Sequence, residues 1–396
     1  MKTLKLYDEN SHLQTFTASV TALKADEKNP DKWAWVALDQ TAFFAEGGGQ
    51  EADHGVLAGL PVDDVREKDS VVWHRLPATA NEALTIGQTV EGTIDYERRF
   101  DFMQQHSGEH ILSGLAYHWK GYHNVGFHLG TDVTTVDFDG PFTEEELREL
   151  EQKANEVVWK NERVQIFYPS PEELAAMDYR SKKELTGDVR IVKVGNYDLC
   201  ACCAPHVQLT GEVGQIRIIH WENYKGGVRL VILCGGRALA HAKATAADMD
   251  RMARTFSTKP EKVPDMVEKL LRQEEESKAH IIDLNREIIR QRKEAWKSAA
   301  LAEDGSVARV ERLLDNAAVK SLVTQLAEEI PGFVLVLMPK EADTYNFLIA
   351  STAVDCREVA ARLRESFGAK GGGQSGLCQG TVQGDAESIS REALGK

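Results

Sequence analysis

Residues 105–112 of this 396-residue chain are Gln-His-Ser-Gly-Glu-His-Ile-Leu. If this stretch is helical, His106 and His110 lie one turn apart on the same face, so their imidazoles can reach a common point. The apolar residues Ile111 and Leu112 would then bury the neighbouring face of the helix. Two imidazoles are good zinc ligands, but they leave a tetrahedral site half complete.

The ligands that would complete such a site lie in residues 200–206, Cys-Ala-Cys-Cys-Ala-Pro-His. Here Cys202 and His206 repeat the spacing of the histidine pair, but the proline and the strand-like runs on either side predict a tight loop. Together the helix and the loop supply four nitrogen and sulfur ligands, which is the set that zinc prefers. We therefore predict a zinc site formed by His106, His110, Cys202 and His206, rather than a chance histidine pair beside buried thiols.

The composition is ordinary for a soluble globular protein, with 42% hydrophobic and 28% charged residues. The length allows two or three domains. No apolar run of about 18 residues exists, and the first residues form no apolar signal segment, so we expect a cytoplasmic protein without a membrane span. Six cysteines, three of them within residues 200–203, favour reduced thiols over a disulfide framework. The net charge of -15 argues against indiscriminate binding to nucleic acid, but it allows a local basic patch.

Residues 1–92 alternate apolar and polar positions over short runs separated by turn residues, which predicts a small β-barrel. The predicted strands are residues 15–20, 33–38, 71–74 and 90–94. Within this domain Gly47, Gly48 and Gly49 precede Gln50. Successive glycines let backbone N–H groups approach a ligand that side chains would block, although a flexible turn gives the same pattern.

Residues 93–240 mix helical and strand patterns without regular alternation, which predicts an α+β domain. A helix from Tyr96 to Lys120 would carry the histidine pair. A second helix should begin with a capping box, Thr143 as N-cap and Glu146 three residues on, and should end near Asn161. Strands are predicted at residues 133–138, 189–194, 213–219 and 228–233, and the middle two flank the Cys-His loop.

Residues 241–300 hold recurring apolar positions on a mixed-charge background, which predicts a long helix or a coiled-coil helical hairpin. Residues 301–396 are predicted to form a small α/β domain with strands at 333–338 and 345–350. We also predict a second glycine-rich loop at residues 371–376, near the cations Arg362, Arg364 and Lys370. Open N–H groups near cations could contact phosphate, although a mobile turn is the simpler alternative. The overall fold class is thus α+β.

In order along the chain, these motifs resemble those of the stand-alone alanyl-tRNA editing proteins in their long form (AlaX). That family is related to the editing and C-terminal domains of alanyl-tRNA synthetase. The resemblance covers essentially the whole chain. It rests on Thr41 with the run Phe44-Ala45-Glu46-Gly47-Gly48-Gly49-Gln50, on His106 with His110, on Cys202 with His206, and on Thr210-Gly211-Glu212. The C-terminal part, with Gly371 to Gly373, resembles the nucleic-acid-binding domain that the synthetases share with a phosphoesterase family.

The resemblance implies hydrolysis of misacylated tRNA(Ala), chiefly Ser-tRNA(Ala) and in addition Gly-tRNA(Ala). It implies Zn²⁺ as the cofactor, held by the four ligands already derived from spacing. It also implies a set of substrate-binding residues, with Thr41 lining the amino-acid pocket: Thr41, Gly47, Gly48, Gly49, Gln50 and His128. A site that hydrogen-bonds the seryl hydroxyl discriminates against alanine, and Thr41 is the expected partner.

One departure from the family concerns the Cys-His loop. The synthetase editing sites usually have Cys-Gly-Gly-Thr-His, whereas this chain has Cys202-Cys203-Ala204-Pro205-His206. The ligand spacing is kept, but any hydrogen bond from that threonine is lost, and Cys203 becomes an alternative ligand.

Other interpretations stay open at this point. Residues 106–110 match the inverted zinc-peptidase signature His-x-x-Glu-His, with Glu109 as general base and a distal residue such as Glu184 as a further ligand. This interpretation leaves the Cys-His loop and the glycine motifs unexplained.

A non-enzymatic alternative is a tRNA-binding module whose four ligands close the metal off from substrate. Even in an editing enzyme, zinc could activate water or merely anchor the substrate. A homodimer through the C-terminal helical region is a further hypothesis.

Overall fold

A computed structural model describes residues 2–181, 189–302 and 305–396. The chain divides into two compact units, Met1–Arg251 and Met252–Lys396. In the described ranges, no helix combines the length and the apolar character that a membrane crossing requires.

The N-terminal part of the first unit is a seven-stranded sheet. Its order is β6-β5-β9-β2-β3-β8-β7. Because β6 also packs against β8, the sheet nearly closes, so the predicted small β-barrel is confirmed in this coarser form. The elements are β1 Leu4–Lys5, a 3-10 turn Leu6–Asp8, β2 Thr15–Ala25, β3 Trp33–Leu38, β4 Gln40–Thr41, β5 Gly55–Leu57, β6 Leu60–Val62, β7 Asp64–Lys68, β8 Val71–Pro77, α1 Ala80–Ala83 and β9 Thr89–Ile94.

The rest of the first unit is α+β, as predicted, with two further sheets of order β10-β11-β16-β15 and β12-β13-β14. The capping box at Thr143 and Glu146 is present, and the helix it opens ends at Lys160, before Asn161. The elements are α2 Tyr96–Lys120, β10 Asn124–Leu129, β11 Thr134–Phe138, α3 Glu144–Lys160, β12 Val164–Phe167, α4 Pro171–Ala176, β13 Ile191–Val194, β14 Asp198–Ala201, a 3-10 turn Thr210–Val213, β15 Ile216–Tyr224, β16 Gly227–Cys234 and α5 Gly235–Thr255.

One strand prediction beside the Cys-His loop was inaccurate, and one strand there was missed. The strand expected at 213–219 begins only at Ile216, because Val213 ends a 3-10 turn and Gly214 has a positive φ of 70°. The short strand β14 was not predicted at all, and it leads directly into the loop.

Helix α2 is central to the first unit and has the predicted bounds, Tyr96–Lys120. Asp95 caps its first turn, and Gly121 ends it in the left-handed conformation. Two glycines let the helix approach its neighbours closely. A Cβ on Gly108 would lie 2.3 Å from the sulfur of Cys234, and one on Gly114 would lie 2.2 Å from the carbonyl oxygen of Tyr197.

A buried ion pair fixes the barrel to this helix. Arg99 of α2 and Asp53 of the barrel are both completely buried and in direct contact. Arg99 also donates from Nη1 to the Ser11 carbonyl at 3.1 Å and from Nη2 to the Ala42 carbonyl at 2.7 Å. Asp53 in turn accepts from the backbone N–H of Phe44 at 2.6 Å. Because breaking a buried pair leaves an uncompensated charge, this contact holds the glycine motif in register with the histidine helix.

The second unit has a five-stranded sheet of order β17-β18-β19-β21-β20 with a hydrophobic cluster on each face, as expected for a small α/β domain. The region 241–300, predicted as a long helix or a helical hairpin, contains the end of α5, which begins in the first unit, and most of the 40-residue α6. The elements are a 3-10 turn Pro260–Lys262, α6 Val263–Ala302, β17 Val307–Val310, α7 Asn316–Ala327, β18 Val334–Glu341, β19 Thr344–Ala350, α8 Cys356–Phe367, β20 Lys370–Gln374, β21 Leu377–Gln383 and α9 Ala386–Leu394.

The predicted second glycine-rich loop at 371–376 was wrong. Residues Lys370–Gln374 form the edge strand β20, and only a short turn separates it from β21. The reason is close backbone pairing: a Cβ on Gly371 would lie 2.2 Å from the Gln379 carbonyl oxygen, and one on Gly373 would lie 2.1 Å from that of Leu377. The glycines therefore serve sheet pairing here.

Candidate metal centre

Four side chains from helix α2 and the Cys-His loop converge on one point. They are His106, His110, Cys202 and His206, and their candidate ligand atoms all lie within 4.8 Å of one another. The sulfur of Cys202 lies 3.5 Å from Nε2 of His106 and 3.4 Å from Nε2 of His206. Zinc bonds of about 2.3 Å to sulfur and about 2.0 Å to nitrogen place such atoms about 3.5 Å apart in a tetrahedron. The four residues therefore fit a zinc ion both in donor type and in spacing.

The Nδ1 atom of each histidine contacts a neighbouring polar side chain, so the Nε2 atom of each ring faces the centre of the cluster. Nδ1 of His106 lies 2.9 Å from Oε1 of Gln50, and that of His206 lies 3.0 Å from Oγ of Ser107. Nδ1 of His110 lies 2.8 Å from a carboxylate oxygen of Asp198. Because a carboxylate and an amide oxygen only accept, Nδ1 carries the proton in His110 and His106. Such outer partners fix the tautomer and the ring orientation of metal-binding histidines.

Electrostatics favour a cation at this point. Burial alone would raise the pKa of the Cys202 thiol, but the imidazoles of His106 and His206 outweigh it and hold the pKa well below its usual value. Burial would lower the pKa of His110, but Cys200 and the hydrogen bond to Asp198 raise it well above its usual value. Burial lowers the pKa of His206 to about 3. The lowered pKa of Cys202 favours negative charge on the sulfur, which a divalent cation would stabilise on binding.

The glycine motif forms a tight turn beside this centre. Gly47 and Gln50 exchange backbone hydrogen bonds of 3.1 and 3.0 Å. Gly48 and Gly49 have φ values of 62° and 86°, the left-handed pair that a type I′ turn requires. Their N–H groups have no hydrogen-bond partner within the described ranges. The predicted open backbone N–H groups are therefore present.

Contacts on both sides hold this turn in place. Leu129 of β10 donates from its backbone to the Gly49 carbonyl at 3.2 Å. A Cβ on Gly49 would lie 2.9 Å from the ring of Phe127, whose centroid is 4.8 Å from that of His106. On the other side, a Cβ on Gly47 would lie 3.3 Å from the sulfur of Cys203. The turn therefore lies between strand β10 and the Cys-His loop.

Gln50 connects the turn to the centre. Its side chain is 1% exposed, and its Oε1 accepts from His106. Its Nε2 is buried without a hydrogen-bond partner in the described part of the chain. An unpartnered buried amide is costly, so this atom is available to a group that enters the site.

The structure gives Thr41 a position inside the barrel core. Its side chain is completely buried, and its Oγ1 lies 2.8 Å from Nε2 of His74. Nδ1 of His74 donates to the Val36 carbonyl at 3.0 Å, so Nε2 accepts the Thr41 proton. The same Oγ1 accepts from the backbone of Phe43 at 3.1 Å. The hydroxyl proton is thus engaged within the protein.

His128 and Cys203 lie at the edge of the site. His128 is exposed on β10, where it follows Phe127 and so faces the other side of the strand. Cys203 is exposed and lies outside the four-residue cluster. The cluster therefore contains Cys202 rather than Cys203.

Sequence reasoning missed the residues that orient the ligands. Asp198 accepts from His110 and also forms a two-point ion pair with Arg180 at 2.6 and 2.9 Å. Burial would raise the pKa of Asp198, but His110 and Arg180 hold it below its usual value. Ser107 lies between the histidines in sequence, but nothing in the pattern indicated its bond to His206. Asp198 was missed because β14 was not predicted.

The peptidase interpretation finds little support in this arrangement. Glu109 is buried beside His110, but its Oε1 accepts from Ser113 and Asn124, and it is not one of the four clustered ligands. Glu184, the suggested distal ligand, lies outside the described residues. The side chains that cluster with the histidine pair are Cys202 and His206.

Comparisons with known proteins agree with the order of motifs. Residues 2–98 match the family model described as tRNA synthetases class II (A), and residues 189–232 match the threonyl and alanyl tRNA synthetase second additional domain. The chain is 26% identical over 416 residues to the alanyl-tRNA editing protein AlaX-L of Pyrococcus horikoshii, covering 99% of this chain and 98% of that protein.

Alanine–tRNA ligases are also similar over part of their length. The ligase of Thermococcus kodakarensis is 34% identical over 300 residues, 72% of this chain and 32% of that protein. The ligase of Pyrococcus abyssi is 28% identical over 407 residues, 96% of this chain and 42% of that protein. The chain thus spans about a third to two fifths of these ligases. The C-Ala domain of Aquifex aeolicus alanyl-tRNA synthetase matches 23% of this chain and 84% of its own at 22% identity, with a TM-score of 0.20, a likeness too low to define a shared fold.

Proposed function

We propose that this chain, a homologue of alanyl-tRNA editing proteins of the AlaX type and of the corresponding part of alanine–tRNA ligases, is an editing hydrolase. Its substrate would be tRNA(Ala) that carries the wrong amino acid, chiefly serine and in addition glycine. The bond to be cut is the ester between the aminoacyl group and a ribose hydroxyl. The observation that carries the proposal is the four-residue centre beside the glycine turn, with an AlaX-L relative that matches along the whole chain.

The residues of the centre have separable roles in this proposal. His106, His110, Cys202 and His206 would hold a zinc ion, and Gln50, Asp198 and Ser107 keep the three imidazoles oriented. A bound zinc ion supplies a positive centre that polarises an ester carbonyl, activates a water molecule or anchors the substrate. The open N–H groups of Gly48 and Gly49 would hydrogen-bond the substrate where a side chain would obstruct it.

Discrimination between serine and alanine requires a polar partner for one hydroxyl group. The hydroxyl proton of Thr41, the partner expected from the resemblance, is donated to His74 in the barrel core. The Gln50 amide is buried beside His106 and has an unused N–H group. We therefore assign the seryl hydroxyl to Gln50. A site with an unpaired buried donor favours a substrate that pairs it.

A non-catalytic module is the second candidate, and one observation favours it. Four protein ligands complete a tetrahedral set without a water molecule, which is typical of structural zinc sites. In that case the metal would stabilise a tRNA-binding fold and no ester would be hydrolysed.

The second unit would contribute affinity for tRNA and a dimer contact. Helix α6 carries six large apolar side chains that are each at least 39% exposed, as a dimer interface requires: Val267, Leu270, Leu271, Ile281, Ile282 and Leu284. Light scattering tests this. Leu270→Glu with Ile281→Glu should convert a dimer into a monomer, and a wild-type monomer at micromolar concentration would contradict the contact.

The test of the editing function compares substrates on the full-length chain. Ser-tRNA(Ala), Gly-tRNA(Ala) and Ala-tRNA(Ala) are incubated with equal protein, and the ester remaining is followed over time. We expect Ser-tRNA(Ala) to be hydrolysed at least tenfold faster than Ala-tRNA(Ala), with Gly-tRNA(Ala) also cleaved. Tight binding of tRNA(Ala) without hydrolysis of any ester would favour the module instead.

A further inference from the structure

Two adjacent thiols lie in the Cys-His loop, but they face different surroundings. The sulfur of Cys202 lies within 3.5 Å of the Nε2 atoms of His106 and His206. The sulfur of Cys203 instead lies against the glycine turn, 3.3 Å from where a Cβ on Gly47 would be. Rotation of the short segment between the ligands could exchange the two sulfurs, so some contact must fix which one meets the histidines.

Arg190 provides such a contact. Its side chain is almost completely buried, and Nη1 donates to the Cys202 carbonyl at 2.7 Å and to the Ala204 carbonyl at 2.9 Å. The backbone N–H of Cys202 donates in turn to the Arg190 carbonyl at 3.2 Å. These bonds hold the peptide planes before Cys203 and after Ala204, so the segment between them cannot rotate freely.

The guanidinium is itself anchored to the first residues of the chain. Nε of Arg190 is in ion-pair contact with Asp8 at 2.8 Å, although without the alignment of a hydrogen bond. The other carboxylate oxygen of Asp8 accepts from the hydroxyl of Tyr168 at 2.7 Å. A planar guanidinium can face a carboxylate and two carbonyls at once, which a lysine ammonium on a flexible stem does less well. The loop is therefore held from the barrel side of the unit.

We propose that Arg190 is a positioning residue that selects Cys202 over Cys203 as the sulfur ligand. The inference rests on the proposed metal centre, and it assigns a role to a residue outside the ligand set. It also explains how the loop presents Cys202 to the three histidines although a second cysteine, Cys203, follows directly in the sequence.

The first test measures zinc affinity of the full-length chain by competition with a chromophoric chelator. Arg190→Lys keeps the charge and should weaken zinc binding by about 10- to 100-fold, as the loss of an outer partner does. Arg190→Met should weaken it at least as much. The matched control is Arg229→Lys, because Arg229 forms a two-point ion pair with Asp137 elsewhere in the unit at 2.7 Å. This control should bind zinc within twofold of wild type.

The second test identifies the ligand from the spectrum of the Co²⁺-loaded chain, in which a thiolate ligand gives a charge-transfer band. In the wild-type background the band should vanish in Cys202→Ala and persist in Cys203→Ala. In the Arg190→Lys background, Cys202→Ala should keep part of the band, because Cys203 can then reach the metal. This restored band is a signature that general destabilisation would not give.

The outcomes separate the inference from the function on which it rests. If wild type, Arg190→Lys and Arg190→Met all bind zinc with equal affinity, Arg190 does not select the sulfur ligand. The proposed zinc site would then still be supported. Absence of any band from Cys203 in the Arg190→Lys background would also overturn the role. A wild-type chain that binds no zinc would overturn both the centre and the inference. If Arg190→Met does not fold, Arg190→Lys alone decides.

Discussion

The sequence Gly-Gly-Gly-Gln occurs twice in this chain, at residues 47–50 and 371–374, and the two copies fold differently. The first copy is a tight turn with two left-handed glycines, and its glutamine is buried against His106 of the candidate metal centre. The second copy is an exposed edge strand whose outer side has no pairing partner within the described ranges. The same four residues thus form a turn in one unit and a strand in the other.

The two copies have different partners: distant segments surround the first, and the next strand in sequence pairs with the second. The first copy meets Phe127, Cys203 and His106, which come from three other segments. The second copy follows helix α8 and pairs with β21, which begins three residues after it ends. Glycine allows both conformations at similar cost, so local sequence cannot choose between them.

The largest expected effect follows from removing His110, which belongs to the same candidate centre as His106, the histidine that the first copy contacts. His110→Ala should reduce bound zinc to less than one-tenth of stoichiometric and slow hydrolysis of Ser-tRNA(Ala) and Gly-tRNA(Ala) together by about 100-fold or more. Elemental analysis and a deacylation assay check this. Gln374→Ala, which changes the second copy, should leave both quantities unchanged. Full zinc occupancy in His110→Ala would show that His110 is not a zinc ligand and would contradict the proposed metal centre beside the first copy.

Acid should destabilise the unit of the first copy more than the other unit. Burial lowers the pKa of His74 to about 4, against its usual value of 6.5. The unfolded chain then binds a proton that the folded chain excludes, so this contribution to stability is complete above pH 6.5 and is lost between pH 6.5 and 4. The loss amounts to about 3 kcal/mol. The second unit has one histidine, the exposed His280.

Denaturant unfolding at several pH values measures this effect. His74→Gln should be less stable at pH 7, and its unfolding free energy should depend less steeply on pH between 6.5 and 4. An unchanged slope in His74→Gln would assign the acid sensitivity to another group.

Alanine at one glycine of each copy should separate the crowded turn from the open face of the edge strand. Gly49→Ala places a Cβ at a φ of 86° and 2.9 Å from the Phe127 ring, and we expect a loss of about 2 kcal/mol in unfolding free energy. At Gly372 a Cβ meets no atom within 4 Å, so Gly372→Ala should change stability by less than about 0.5 kcal/mol. Equal losses of unfolding free energy in Gly49→Ala and Gly372→Ala would contradict the expected difference between the turn and the strand.

The two glutamines offer a similar comparison with a smaller expected effect. Gln50→Leu removes the acceptor for His106, and outer partners of this kind contribute about 10-fold or more to metal affinity. It should also narrow the ratio of kcat/KM for Ser-tRNA(Ala) over Ala-tRNA(Ala). Gln374→Leu should change neither. If Gln50→Leu leaves the ratio of kcat/KM for Ser-tRNA(Ala) over Ala-tRNA(Ala) unchanged, a residue other than Gln50 binds the seryl hydroxyl.

The smallest expected effect concerns Thr41. The resemblance to editing proteins predicts that Thr41→Val narrows the preference for serine by roughly five- to thirtyfold. The hydrogen bonds to His74 and from Phe43 lead us to expect instead a stability loss of about 1 kcal/mol, with the Ser/Ala ratio unchanged. Parallel kinetics of Thr41→Val and Gln50→Leu decide between the two assignments.

Features that depend on local pattern were predictable from the sequence. Helix α2 was placed to the residue, and the capping box at Thr143 was correct, because both follow from helical periodicity and end signals. The clustering of the four side chains was predictable because paired spacings bring side chains to one face or one loop, and their role as zinc ligands stays a prediction.

Features that depend on long-range contacts were not predictable. The orienting residue Asp198 lies 88 positions from His110, and no spacing rule joins them. The hydroxyl of Thr41 is engaged by a histidine 33 positions away, a contact that no local pattern predicts. The second glycine run is a different case, because its pairing partner β21 follows directly in sequence and the prediction failed on glycine-rich composition, which favoured a loop.

The most direct test of the central claim is the zinc dependence of ester hydrolysis. The purified chain is treated with a chelator until zinc falls below one-tenth of stoichiometric, and hydrolysis of Ser-tRNA(Ala) is measured before and after one equivalent of zinc is returned, with circular dichroism recorded at each step. We predict that hydrolysis is lost on chelation, that the fold is retained and that zinc restores the original rate. A chelated chain that remains folded and hydrolyses Ser-tRNA(Ala) at the original rate would contradict the account.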